Sequence, residues 1–120
     1  MNEVRRYVVQ EHMTDPHHYD FMFEDHDCLL TWQVPALAEV LAGEVVPCKK
    51  IFDHRLKYLD YEGDIPGKGR VQIYTGGTCR FEGLDESKVT IKIIDGKLRG
   101  AIAFCREDED NWTLVWSGGL

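Results

Sequence analysis

No apolar run in this chain approaches the roughly 20 residues that a membrane span needs. The opening MNEVRRYVVQEH has neither an apolar stretch nor a small-residue cleavage site. No membrane partner and no secretory leader are therefore expected, and the expected compartment is the cytoplasm. The four cysteines, Cys28, Cys48, Cys79 and Cys105, form no C-x-x-C pair, which disfavours a zinc ribbon. In a reducing compartment they read as small buried residues rather than disulfide partners. A basic excess is also missing: the formal net charge is −7, which argues against tight non-specific DNA binding. The GKGR stretch from Gly67 to Arg70 is too short for a Walker loop, and there is no G-x-S-x-G elbow. Nucleotide hydrolysis and serine-type catalysis thus have little support.

What is present is a folded domain. The chain has 120 residues, 43% of them apolar, enough for one modest core, so residues 1–120 are expected to form a single domain. Segments of β character dominate. VRRYVVQEH, HYDFMFE and DCLLTWQVP open the chain, and RVQIYTG and TCRFEG follow a Gly/Pro-punctuated loop, separated by an expected Gly-Gly turn. VTIKIID and KLRGAIAFCR flank Asp95-Gly96, a strong hairpin signal, and NWTLVWS ends the series. PALAEVLA, residues 35–42, is the one helix candidate, with proline at its start and Gly43 as its stop. PCKKIFDH reads as a basic extended segment. The expected fold is all-β, a small antiparallel β-barrel of about eight strands with one short helix. Trp32, Trp112 and Trp116 are expected in its core or rim.

Histidine is concentrated near one end. His12, His17, His18 and His26 are four of the five in the chain. In a strand, alternate side chains share a face. HYDFMFE then puts His18, Asp20, Met22 and Glu24 on one side and Tyr19, Phe21 and Phe23 on the other. A strand through VRRYVVQEH puts Gln10 and His12 on one face. If the Thr14-Asp15-Pro16 turn returns the chain alongside, His12, His18 and Asp20 converge. Two imidazoles and a carboxylate suit zinc, manganese or iron, with coordination positions left for water or substrate. Histidines near a turn can also be simply solvated. Charge is unevenly spread, with Lys49, Lys50, Arg55 and Lys57 around His54 and Lys68, Arg70 and Arg80 beyond. A local basic patch on an acidic chain is one reading of that distribution.

VVQEH, HYDF, LLTWQVP, DHRLKYLDYEGDIP, GKLRG and the terminal WTLVW, taken in this order, resemble the 3′-phosphoesterase domain of bacterial DNA ligase D in its free-standing form. The resemblance runs from about Arg6 to Trp116. It implies a β-barrel with a crescent groove and a manganese-dependent site that heals DNA or RNA 3′ ends, removing a terminal ribonucleotide and then the 3′ phosphate. Zinc and cobalt are alternative metals. By the same resemblance His12, His18 and Asp20 are the metal ligands, and His54, Tyr58 and Gln10 the catalytic residues. Lys50, Arg55 and Arg80 are the cations expected to hold the strand backbone. DNA or RNA 3′ ends, and separate ligase or polymerase repair proteins, are the implied partners.

Two departures stand out. Met22 occupies the place of a family arginine that clamps phosphate, and the MTDPH segment lacks a second arginine. Loss of one charge-assisted bond costs about 1.5–3 kcal/mol, so a reduced activity is expected. Two rival readings follow from the same residues. One is an inactive relative that binds nucleic-acid ends or a repair partner. The other is an iron enzyme built on His18, Asp20 and His54, which leaves His12 and the DHRLKYLDYEG block without a role.

Overall fold

Alternation along the first three strands sorts their side chains into two faces, and each face is buried by a different partner. The computed structural model describes residues 3–118. Its strands are β1 (Arg5–Met13), β2 (His18–Asp25), β3 (Cys28–Val34), β4 (Val46–Arg55), β5 (Gly63–Asp64), β6 (Arg70–Leu84), β7 (Lys88–Ile93), β8 (Gly100–Asp108) and β9 (Asn111–Gly118). A short helix, α1 (Leu37–Leu41), precedes β4, and a 3₁₀ turn, Leu56–Leu59, follows it. The order β1-β2-β3-β4-β9-β8-β7-β6, with β6 pairing back onto β1, closes an eight-stranded antiparallel barrel. Closure removes the free edges that an open sheet would expose. No helix among the described residues is long and apolar enough to cross a membrane.

The barrel interior takes one face. Tyr7 and Val9 of β1, Phe21 and Phe23 of β2, and Trp32 and Val34 of β3 all join the main core. Trp32 stacks on Phe104 at 4.0 Å between ring centroids and meets Trp112 edge-on at 5.6 Å. Burying a side chain such as Phe21 or Phe104 contributes about 1.5–3 kcal/mol. Trp116 packs at the rim, its indole N–H donating to the Leu98 carbonyl at 2.8 Å. All three tryptophans are therefore structural, as expected. The four cysteines are free, and burial pushes the Cys48 and Cys79 thiols up to about 12.

The opposite face of β1–β3 lies outside the barrel, where the 3₁₀ turn covers part of it. Val8, Met22 and Leu29 form a second apolar cluster beneath Leu56, Tyr58 and Leu59. Met22 pairs with Val8 and Thr31 in register and is fully buried. It shares the face of His18 and Asp20, as alternation requires, but it is roofed over rather than open to a ligand. At the far end of this face Arg6 holds Glu24 through two side-chain bonds, at 3.0 and 2.6 Å. That pairing lowers the Glu24 pKa.

Two sequence expectations change here. PCKKIFDH is a barrel strand, β4. Gly76-Gly77 is not a turn, because β6 runs straight through it opposite Tyr7 and Val8. A side chain at Gly77 would collide with the Asp95 carboxylate, which caps Thr78 through its amide and hydroxyl. Glycine in a strand here marks a close approach. The expected strand number survives because one strand was missed and another was split.

The covered position of Met22 has a measurable consequence. Met22→Leu conserves volume and is expected to cost less than about 1.5 kcal/mol. Met22→Arg would bury an unpaired guanidinium and is expected to cost about 3 kcal/mol or more. Urea unfolding midpoints compare the two. Equal stabilities would show that the 3₁₀ turn does not seal this face.

Candidate metal centre and phosphate groove

The register of β1 and β2 sets His12 directly opposite His18, and Gln10 opposite Asp20. Side chains of paired residues project from the same face, so this register brings the three candidate ligands together. His12 Nδ1 lies 3.2 Å from His18 Nε2 and 3.7 Å from the Asp20 carboxylate. His18 Nε2 lies 3.3 Å from Asp20 Oδ1. His18 and Asp20 are buried, and His12 is half-buried.

Backbone carbonyls fix both rings from behind. His12 Nε2 is 2.6 Å from the Lys68 carbonyl, and His18 Nδ1 is 3.0 Å from the Pro16 carbonyl. A carbonyl only accepts, so those nitrogens carry the protons. In the neutral rings the remaining nitrogens then turn their lone pairs toward one another beside a carboxylate. Asp20 Oδ1 is buried without a hydrogen-bond partner. Three electron-rich atoms facing one point are unfavourable unless a cation or a proton sits among them. Carbonyl support of the outer ring nitrogen is also how metal-ligating histidines are oriented. These residues could hold a divalent cation. Contact with Asp20 raises the His18 pKa above 6.5 against the opposing effect of burial, with help from the Pro16 carbonyl.

The Lys68 carbonyl is delivered by a tight loop. The Ile65 amide donates to the Gly69 carbonyl and the Lys68 amide to the Ile65 carbonyl, both at 2.8 Å. Gly69 has φ +75°, and a Cβ there would strike the Met13 carbonyl. Glycine is what allows this loop to lie against the end of β1.

Across from the cluster stands His54. Along β3 and β4, Leu29 pairs with His54 and Thr31 with Ile51, so β4 carries one extra residue in this interval. Such a bulge re-aims side chains, and here it leaves His54 on the groove. His54 Nδ1 donates to the Phe52 carbonyl at 3.1 Å, which leaves Nε2 for a ligand. Tyr58 meets the imidazole edge-on at 5.8 Å. Gln10, His12, Asp20 and Lys68, with His54, Arg55 and Tyr58, are among the residues that enclose a groove of about 390 Å³.

Residues 10–106 match the family described as DNA Ligase D 3′-phosphoesterase domain. This chain belongs to that family. Among its LigD relatives, the multifunctional non-homologous end joining protein LigD of Mycobacterium bovis is 31% identical over 114 residues, covering 88% of this chain. The multifunctional non-homologous end joining DNA repair protein LigD of Mycobacterium tuberculosis matches to the same extent. LigD of Pseudomonas aeruginosa is 30% identical over 123 residues, covering 92% of this chain. The match spans only 15% of the length of each relative.

In this LigD-type phosphoesterase domain the expected site residues divide into two sets. His12, Asp20, His54, Tyr58 and Arg55 line the groove, and His18 joins them through His12 and Asp20 while facing an adjoining pocket with Pro16 and His17. Gln10 is buried at its floor, and its amide donates to the Tyr58 and Tyr61 carbonyls, both at 2.9 Å. It therefore secures the 3₁₀ turn instead of presenting its amide to a substrate. Lys50 lies outside the groove lining: its ammonium lies over Trp32, donates to the Ile51 carbonyl at 2.9 Å and sits 3.6 Å from Asp53. Arg80 also lies elsewhere, lining a separate cleft with Lys92 and Arg99. Lys50 continues the inward alternation of Val46 and Cys48, which spacing to His54 could not reveal across a bulge. Lys68 and Phe52 line the groove and were not among the expected site residues. The Gly67–Gly69 spacing was the available signal for Lys68.

The His18–Asp20 contact predicts a pH effect in chelator-treated protein. A raised folded pKa means that protonated His18 stabilises the metal-free fold fully below about pH 6.5. That contribution is lost as pH rises through the higher folded value. The denaturation midpoint of the wild type should fall across that window, and that of His18→Gln should not. Parallel curves would contradict the assignment.

Proposed function

We propose that this chain is a metal-dependent 3′-end-healing phosphoesterase acting in end-joining DNA repair. The observation that carries the reading is the placement of His12, His18 and Asp20 across one groove from His54. The three would hold a divalent cation, manganese first, with zinc or cobalt as alternatives. When bound, such an ion neutralises charge developing on phosphate oxygens and makes water a stronger nucleophile at neutral pH.

The chain's own residues supply the rest. With Nδ1 on the Phe52 carbonyl, His54 Nε2 is a lone pair in the neutral ring; as the imidazolium it would donate to a phosphate oxygen or give that proton to the departing 3′ oxygen. Tyr58 limits the wall beside it. Arg55, and Lys68 behind His12, would hold the strand's phosphates, which dominate nucleic-acid affinity. For a 3′ phosphate the bond broken is P–O3′, water adds to phosphorus, and the 3′ oxygen leaves as a hydroxyl. A 3′-terminal ribonucleotide would first be cut at its P–O5′ bond: water adds to phosphorus, the ribonucleoside leaves with a 5′ hydroxyl, and its phosphate stays on the new 3′ end. DNA or RNA 3′ ends are thus the partners, and separate ligase or polymerase proteins would use the exposed hydroxyl.

Met22 bears on the rate. A buried thioether provides neither charge nor appreciable hydrogen bonding, so the site works with one phosphate clamp fewer than an arginine-bearing relative. This residue also favours the second reading, an end-binding relative without turnover. Incubation with manganese and primer-templates ending in a ribonucleotide or a 3′ phosphate separates the two. The expected result is conversion to a 3′ hydroxyl, abolished by His18→Ala. His54→Ala should lower the rate about a hundredfold, in the range of lost acid–base assistance. Tight binding of the same ends with no conversion would select the second reading.

A further inference from the structure

Phe52 is 72% exposed, the highest value among the exposed large hydrophobic side chains of the described residues. It belongs to neither apolar cluster, so burial does not account for it. The β4 bulge sets it beside His54. Its ring lies parallel to the imidazole, with centroids 4.9 Å apart and planes 5° from coplanar. The Phe52 carbonyl also accepts from His54 Nδ1. Phenyl and imidazole thus form one stacked unit on the groove wall, with a large apolar surface left in water.

We propose that the open face of Phe52 is a stacking platform for the nucleobase of the 3′-terminal nucleoside, the one whose phosphate is held at His54. This rests on the phosphoesterase reading of the groove and adds a base-recognition subsite to it. A flat apolar ring is what every base can stack on, whatever its hydrogen-bonding edge, so the platform favours base-bearing ends without reading sequence. Its rigid seat on His54 limits the ordering cost of binding. It also couples base position to the residue beside the phosphate. Arg55, the next groove cation along the chain, would meet the backbone. The occupant is a single unpaired or frayed terminal nucleotide, because a base stacked within a duplex would not offer its face.

The test uses the full chain and a DNA strand ending in a 3′ phosphate, with 2-aminopurine as the terminal base. A matched strand carries an abasic terminal nucleoside. Wild type should quench the 2-aminopurine on binding. Phe52→Ala should lose the quench and weaken binding of the base-bearing strand by about five- to a hundredfold, the range for one lost base–aromatic stack. Phe52→Trp should retain both. On the abasic strand the three proteins should bind alike, and the ratio of base-bearing to abasic cleavage should fall in Phe52→Ala. Equal weakening on both strands, or a quench that survives in Phe52→Ala, would overturn the platform while leaving the phosphoesterase reading intact. If wild type neither binds nor cleaves either strand, both are wrong.

Discussion

Pairing of His12 with His18 in the β1–β2 ladder fixes two surfaces at once. The alternation that turns Tyr7, Val9, Phe21 and Phe23 into the barrel turns Gln10, His12, His18 and Asp20 out of it. A slip of one residue would bury the imidazoles and expose the phenyl rings. The core therefore enforces the site. Aromatic burial inside the barrel holds three polar groups in an arrangement they would not choose alone, with lone pairs converging and Asp20 Oδ1 lacking a hydrogen-bond partner.

Groove formation depends on a second layer laid against the outside of the barrel. The 3₁₀ turn Leu56–Leu59 is fastened by apolar contact with Val8, Met22 and Leu29, and by the Gln10 amide. The loop at Ile65–Gly69 returns to place its Lys68 carbonyl on His12. A carbonyl distant in sequence, that of Lys68, thus orients the His12 ring, and the Pro16 carbonyl two residues away orients that of His18. Met22 belongs to this fastening. Its side chain is fully buried and serves as packing beneath Tyr58.

Much of this was legible in the chain. HYDFMFE announces its two faces by alternation alone, and the hairpin that brings His12 to His18 follows from the turn before it. The DHRLKYLDYEG block led to His54 and Tyr58. Less was legible where register is broken. The extra residue of β4 lies beyond Lys50, so Lys50 keeps the inward alternation while Phe52 and His54 are re-aimed, and no periodicity rule locates a bulge. Arg80 lies on the half of β6 that pairs with β7, a consequence of the strand running through Gly76-Gly77, which reads locally as a turn. Gln10 was expected among the catalytic residues, yet the partners of its amide are carbonyls in and just after a turn far along the chain.

The formal charge of −7 makes a binding site for nucleic-acid ends depend on local arrangement. A cation among His12, His18 and Asp20 would reverse the sign of the groove floor and complement Arg55 and Lys68. The groove's chemistry would turn on that ion. Crystals soaked in manganese and measured at the manganese absorption edge test for it most directly. The expected result is one strong anomalous peak within coordination distance of His12 Nδ1, His18 Nε2 and an Asp20 carboxylate oxygen, with both outer ring nitrogens still on their carbonyls. No peak at that point, or ligation through the opposite ring nitrogens, would contradict it.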